Sequence, residues 1–126
     1  MHCYKRVCEQ IQRLTGLWYS AEYSTFSITD EVGKYRLTVD WYSGDAGNAL
    51  MLTLYPRYAA NGMMFSTPES DNDLWADGNC AGERGSGWWL GRCSTSNLNS
   101  DDSYGIWVTG TPVWNVQASR MLVKLN

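Results

Sequence analysis

Asp71, Asp73 and Asp77 place three carboxylates within seven residues, and Cys80 and Cys93 follow them, bracketing the pair Trp88 and Trp89. Like charges this close repel unless they are freely solvated or share a hard cation. Calcium takes roughly six to eight oxygens from carboxylates, backbone carbonyls and water. The Asp71 and Asp73 side chains, with carbonyls near Trp75 and Asp77, could supply most of such a shell; the same run is also readable as a solvated acidic turn. An EF-hand loop does not fit, because it requires glycine at its sixth position and glutamate at its twelfth, where this chain has Ala76 and Gly82.

The cysteines carry a second expectation. A Cys80–Cys93 disulfide would close a loop of about 14 residues, worth roughly 3 kcal/mol in the chain-entropy account. Four cysteines in so short and glycine-rich a chain point to an oxidising compartment rather than to free thiols. Cys3 and Cys8, with His2 beside them, lack the second ligand pair of a zinc site. They are expected to pair with each other or to link two chains.

The elements that must position these groups read as mainly strands. Tyr35, Leu37, Val39 and Trp41 alternate with Arg36, Thr38 and Asp40, and Tyr23 to Ile28 alternates before them, so a strand pair joined by a turn at Asp30 to Gly33 is predicted. Asn48 to Tyr55 is an apolar run whose periodicity does not separate helix from strand. Tyr104 to Val108 is strand-like, and Ser119 to Leu125 alternates again to finish the sheet. Tandem tryptophans in a chain of 44% hydrophobic content are first of all core; Trp88 is assigned there.

Several ordered motifs resemble the fibrinogen C-terminal domain family, which includes ficolins, tachylectins, angiopoietins and tenascins. They are AEYSTFSITDEVGKYRLTVDWYSGDAG from Ala21 to Gly47, NGMMFST from Asn61 to Thr67, the stretch from Asp71 to Trp89, and SNLN from Ser96 to Asn99. The resemblance implies an α+β fold: a twisted antiparallel sheet with few short helices and a loop-rich lobe organised by calcium and a disulfide. Residues 1–17 are read as a divergent N-terminal segment, and residues 18–126 as a partial domain lacking the N-terminal subdomain. A sheet edge left open by that loss, or Cys3 and Cys8, would then support a homo-oligomer.

The same resemblance implies a site. The calcium ligands would be Asp71, Asp73, the Trp75 carbonyl and Asp77, through its main chain or its side chain. A cis peptide between Arg92 and Cys93 would aim the N–H groups of Cys93 and Ser94 into a pocket that accepts acetyl groups in sugar-binding members. Trp89 is assigned beside that pocket. The side chains around it differ here, with Ser94 where a histidine is usual, Arg84 where a tyrosine is common, and Tyr104 as the candidate for a further wall group. Arg84 would turn preference toward acidic ligands, because a guanidinium pairs bidentately with carboxylate or sulfate.

The implied function is a secreted, calcium-dependent, lectin-like recognition domain for acetylated or acidic glycans, with a protein-binding module of the angiopoietin or fibrinogen kind as the alternative. Ten basic against 13 acidic residues give a net charge of −3, which argues against a nucleic-acid surface. No apolar run is long enough to span a bilayer. The start, MHCYKRVCEQ, is too polar for a signal peptide. Catalysis is not expected: the only histidine is His2, and a carboxylate pair drawn from Asp71 and Asp101 would use a calcium ligand as a general acid.

Overall fold

A computed structural model describes residues 3–51, 56–100, 105–108 and 114–125. In chain order the elements are β1 (Val7–Arg13), β2 (Trp18–Ile28), β3 (Leu37–Gly44), a 3₁₀ turn (Ala49–Met51), β4 (Phe65–Ser66), α1 (Cys80–Arg84), β5 (Trp88–Trp89), β6 (Ser96–Asn97), β7 (Gly105–Trp107) and β8 (Trp114–Val123). Six strands form one sheet in the order β3-β2-β1-β8-β7-β6, and β4 with β5 forms a separate pair. Every pairing is antiparallel. The α+β class expected from the motifs is the observed one, sheet-dominated with a single short α-helix among the described residues.

The segment taken from sequence as divergent supplies a central strand. β1 pairs with β2 on one side and β8 on the other, so Val7 lies between Tyr23 and Val123. Val7 and Ile11 point into the core with Ala21, Tyr23, Leu37 and Val39 of the neighbouring strands. Glu9 lies between Val7 and Ile11 in the same alternation and is equally buried. β8 is likewise interior to the sheet, and the sheet ends at β6 instead.

The predicted β2–β3 hairpin forms, with Thr25 opposite Asp40 and Ile28 opposite Leu37. Its alternation holds at Leu37 and Val39 but fails at both ends. Tyr35 and Trp41 have φ of 55° and 59° and are 41% and 71% exposed, so a left-handed backbone turns each side chain out of the core row. The 3₁₀ turn resolves the start of the ambiguous apolar run as helical; residues 52–55 lie outside the described residues.

The open-edge expectation is reduced by what covers β3. The Leu37 N–H donates to Met63 O at 3.0 Å, Gly62 N–H to Leu37 O at 2.8 Å, and Val39 N–H to Asn61 Oδ1 at 2.9 Å. The opposite edge is the two-residue β6, and short or covered edges resist pairing with another chain. Cys3 and Cys8 are bonded to each other and no free cysteine is found among the described residues, so neither is available to link chains.

Candidate functional site

The β4–β5 pair is the platform for the acidic loop. Trp89 packs edge-on against Phe65 at 5.3 Å between ring centroids and against Trp88 at 5.1 Å. Its indole N–H donates to the Tyr35 carbonyl at 2.8 Å, and the Trp88 N–H donates to Ser96 Oγ at 3.1 Å. Both indoles are thus buried with their single polar atom satisfied, as large amphipathic side chains require. Trp89, assigned from sequence beside the pocket, is 8% exposed and packs into the core.

From this platform the polypeptide leaves as the acidic loop and returns through α1. Asn72 fixes the loop's start, its backbone N–H donating to Ser66 Oγ and its Nδ2 to the Phe65 carbonyl, each at 2.9 Å. Asn79 caps α1: its Oδ1 accepts from Gly82 N–H at 2.9 Å, while its Nδ2 donates to the Pro68 carbonyl. Gly85 closes the helix at φ 64°, a left-handed C-cap that costs glycine little.

Asp73 organises the loop between those anchors. One carboxylate oxygen accepts from Trp75 N–H and the other from Cys80 N–H, both at 2.8 Å. Asp71 Oδ1 in turn accepts from Asp73 N–H at 3.3 Å. Burial and the adjacent Asp71 carboxylate push the Asp73 carboxyl above the usual carboxylate range, against the pull of its two amide donors. No group of three His, Cys, Asp or Glu side chains converges among the described residues, so Asp77 does not complete a carboxylate trio with the other two.

The Asp71–Asp73 pair nevertheless fits a hard cation. The Asp71 carboxylate sits close enough to disfavour charge on Asp73, which a cation between them would relieve, and among the described residues the Trp75 carbonyl accepts only the Gly78 N–H, at 3.2 Å. Gly78 allows that turn, since a side chain there would run into the Trp75 ring.

The loop is tied to the segment just before the second cysteine by the bond from Leu74 N–H to Gly91 O at 3.0 Å, and by the Arg92 guanidinium lying 5.5 Å from the Trp75 ring centre. The Cys80–Cys93 disulfide closes the same circuit, and the peptide between Arg92 and Cys93 is cis, as the motifs imply. The amides of this segment divide sharply. Gly91 N–H donates to Cys93 O, Arg92 N–H to Arg57 O and Thr95 N–H to Tyr58 O, at 2.8, 2.7 and 2.8 Å. Those of Cys93 and Ser94, between them, donate to no acceptor among the described residues.

Two side chains are also unspent: Ser94 Oγ, and Arg84 Nε at the end of the helix that begins with Cys80, are buried without a hydrogen-bond partner. Buried donors normally find acceptors, and these two find none among the described residues. Tyr104, the remaining wall candidate, lies outside the described residues, as do His2 and Asp101. The sequence offered no signal for Arg57 and Tyr58, whose carbonyls hold the Arg92 to Thr95 segment in place. They come from a loop more than 30 residues upstream, and Gly91 is needed beside them because a Cβ there would strike the Arg57 carbonyl oxygen.

The sequence matches the family described as the C-terminal globular domain of fibrinogen beta and gamma chains over residues 5–119. It is 43% identical over 83 residues to fibrinogen-like protein 1 of Rattus norvegicus, covering 63% of this chain and 26% of that one. To the fibrinogen beta chain of Gallus gallus it is 37% identical over 122 residues, covering 88% of this chain and 26% of the relative. The sequence thus spans about a quarter of the length of these relatives. Among solved structures, a lamprey fibrin D-dimer complexed with the peptide ligand Gly-His-Arg-Pro-amide superposes with a TM-score of 0.79 at 31% identity, covering 91% of this chain and 43% of that one. The fibrinogen-like globe domain of human ANGPTL6 superposes at 0.76 with 29% identity, covering 94% and 55%.

Proposed function

The protein belongs to the family of C-terminal globular domains of the fibrinogen beta and gamma chains, and from that premise we propose that it is an extracellular recognition module that binds a protein ligand beside the Cys80–Cys93 disulfide. The observation that carries this reading is the pair of unspent amides at Cys93 and Ser94, held between amides that are all engaged. Backbone donors fixed in this way offer a ligand carbonyl or carboxylate a preorganised seat, which lowers the ordering cost of binding. The peptide ligand of the lamprey relative supports the assignment of a peptide as the partner class. Two disulfides fit an oxidising, extracellular compartment, and among the described residues no helix is long and apolar enough to cross a membrane. The role is binding rather than catalysis.

Calcium belongs to the same reading. The Asp71 and Asp73 carboxylates with the main-chain carbonyls of Trp75 and Asp77 would hold it, and it would supply the positive charge that lets two neighbouring carboxylates stay ionised. The loop so held passes its order to Gly91 through the Leu74 bond. Thermal unfolding in millimolar calcium against EDTA checks this: a ligand at a hundredfold its Kd adds about 2.7 kcal/mol, so Tm should rise with calcium. Asp71→Asn should abolish the rise while leaving the EDTA curve nearly unchanged. A Tm indifferent to calcium would remove the ion from the account.

A second reading, recognition of acetylated or acidic glycans, is favoured by one observation, that Arg84 Nε and Ser94 Oγ are buried without a hydrogen-bond partner. The two readings separate by measuring binding to immobilised N-acetylglucosamine, to a sialylated glycan and to a peptide array, each with and without EDTA. If the glycan reading holds, Arg84→Ala should weaken the acidic glycan roughly tenfold or more, the scale of one lost charge-assisted pair, and spare the neutral one. Peptide capture with no glycan signal would leave the protein-ligand reading alone.

A further inference from the structure

A cavity of about 310 Å³ lies at the far end of the sheet, lined by Tyr4, Lys5, Arg6, Ser24 and Lys124. Three of those residues are cations and none is a carboxylate, in a protein whose net charge is −3. The strand register concentrates them. β1 sets Val7 between Tyr23 and Val123, and one residue further Arg6 falls between Ser24 and Lys124, with Lys124 N–H donating to Arg6 O at 2.8 Å. Two cations facing each other across adjacent strands repel and weaken the pair. That arrangement is relieved by an anion placed between them.

The Cys3–Cys8 disulfide adds the third charge. It closes a five-residue step that folds the polypeptide back over the sheet, and Cys3 Sγ lies 4.0 Å from the Leu122 carbonyl oxygen. Lys5, inside that loop, is thereby carried to the same cavity as Arg6 and Lys124. Glu22, the carboxylate of the adjoining strand row, has Oε1 3.4 Å from Cys8 Sγ and does not line the cavity.

We infer that this cavity is a binding site for a multiply charged oxyanion of the sulfate or phosphate-monoester type, seated by Arg6, Lys124 and Lys5. A guanidinium supplies two parallel donors to such a group and the ammonium groups act as point charges around it. The Ser24 hydroxyl adds a neutral donor on the β2 side. A volume near the lower end of the roughly 300–1,000 Å³ typical of ligand sites accommodates the anion together with a saccharide ring that carries it. The site is separate from the one beside Cys93 and stands or falls independently of it.

Isothermal titration with sodium sulfate, sodium phosphate and a heparin-derived sulfated disaccharide, each against sodium chloride at matched ionic strength, tests the inference. Saturable binding of the dianions is expected, weakened roughly tenfold or more in the Arg6→Ala, Lys124→Ala double variant. Binding should be retained in Lys34→Ala, which removes a cation from a different cavity. Amide NMR shifts should cluster at Lys5, Arg6, Ser24 and Lys124. A disaccharide that binds much more tightly than inorganic sulfate assigns a sulfated glycan as the source, and equal affinities assign the free anion. Heats equal to those of chloride, or a double variant that binds as well as the parent, overturn the site.

Discussion

Glu9→Met is expected to make this domain substantially more stable, and the gain should grow with pH. Glu9 is fully buried on the central strand β1, and neither carboxylate oxygen has a hydrogen-bond partner. Burial pushes its pKa from the ordinary 4.5 to about 8. The folded state therefore keeps the proton over a pH range in which the unfolded polypeptide releases it. Stability from this group is complete below about pH 4.5, declines as pH rises, and levels off above about pH 8.

At about 1.4 kcal/mol per pH unit the decline totals on the order of 5 kcal/mol, a large part of the roughly 5–15 kcal/mol that holds a typical domain together. Methionine has nearly the same length and no charge to desolvate. Denaturant unfolding at pH 5 and pH 8 should show a parent that weakens between the two and a Glu9→Met protein that does not. The variant should already lead by about 1–3 kcal/mol at pH 5, where the protonated carboxyl is still left without partners. Equal stabilities of the parent at the two pH values would show that Glu9 is not buried as described.

The second large effect is expected at Trp107, the largest fully buried side chain among the described residues. It stands on β7 and reaches across to the turn before the 3₁₀ segment, where its indole N–H is shared between the Ala46 and Gly47 carbonyls at 3.1 and 3.2 Å. Truncation to alanine removes that bond and leaves a cavity, for which large aromatic deletions cost about 3–5 kcal/mol. Trp107→Phe should recover most of the packing and lose about 1 kcal/mol for the bond.

The loss should also reach the ligand site. β7 pairs with β6, Val108 N–H donates to Thr95 O at 2.7 Å, and Thr95 follows directly on the Cys93 and Ser94 amides. Hydrogen exchange measured on Trp107→Ala should accordingly show lower protection at Thr95 and Ser96. Unchanged exchange there would sever the link from the core to the donors.

Local chemistry carried much of this molecule. Asp71 and Asp73 with a turn-forming asparagine between them, two cysteines on either side of a tryptophan pair, and strands patterned around Leu37 and Val39 are short-range signals. Nearby residues dictate them, so they could be read directly. The motifs that resemble the fibrinogen family are of the same kind, and the fold class, the Cys80–Cys93 bond and the cis peptide followed from them.

What tertiary structure decided concerns residues far apart in sequence. Alternation alone placed Trp41 in the core row, whereas a left-handed backbone turned it outward; a pattern of residue types does not encode φ at a single position. Trp89 read as a pocket neighbour, and its place between Phe65 and Trp88 depends on a two-strand pairing too short to leave a periodicity. Glu9 carries no sequence signal for burial, and it lies inside because the burial of β1 is set by β2 and β8 on either side of it. Lys5, Arg6 and Lys124 share no joint signal in the linear sequence, since only the β1–β8 register brings them to one cavity. Residue type and spacing determine what a segment prefers by itself; which segments meet, and therefore which charges and donors face each other, is settled by the pairing of strands.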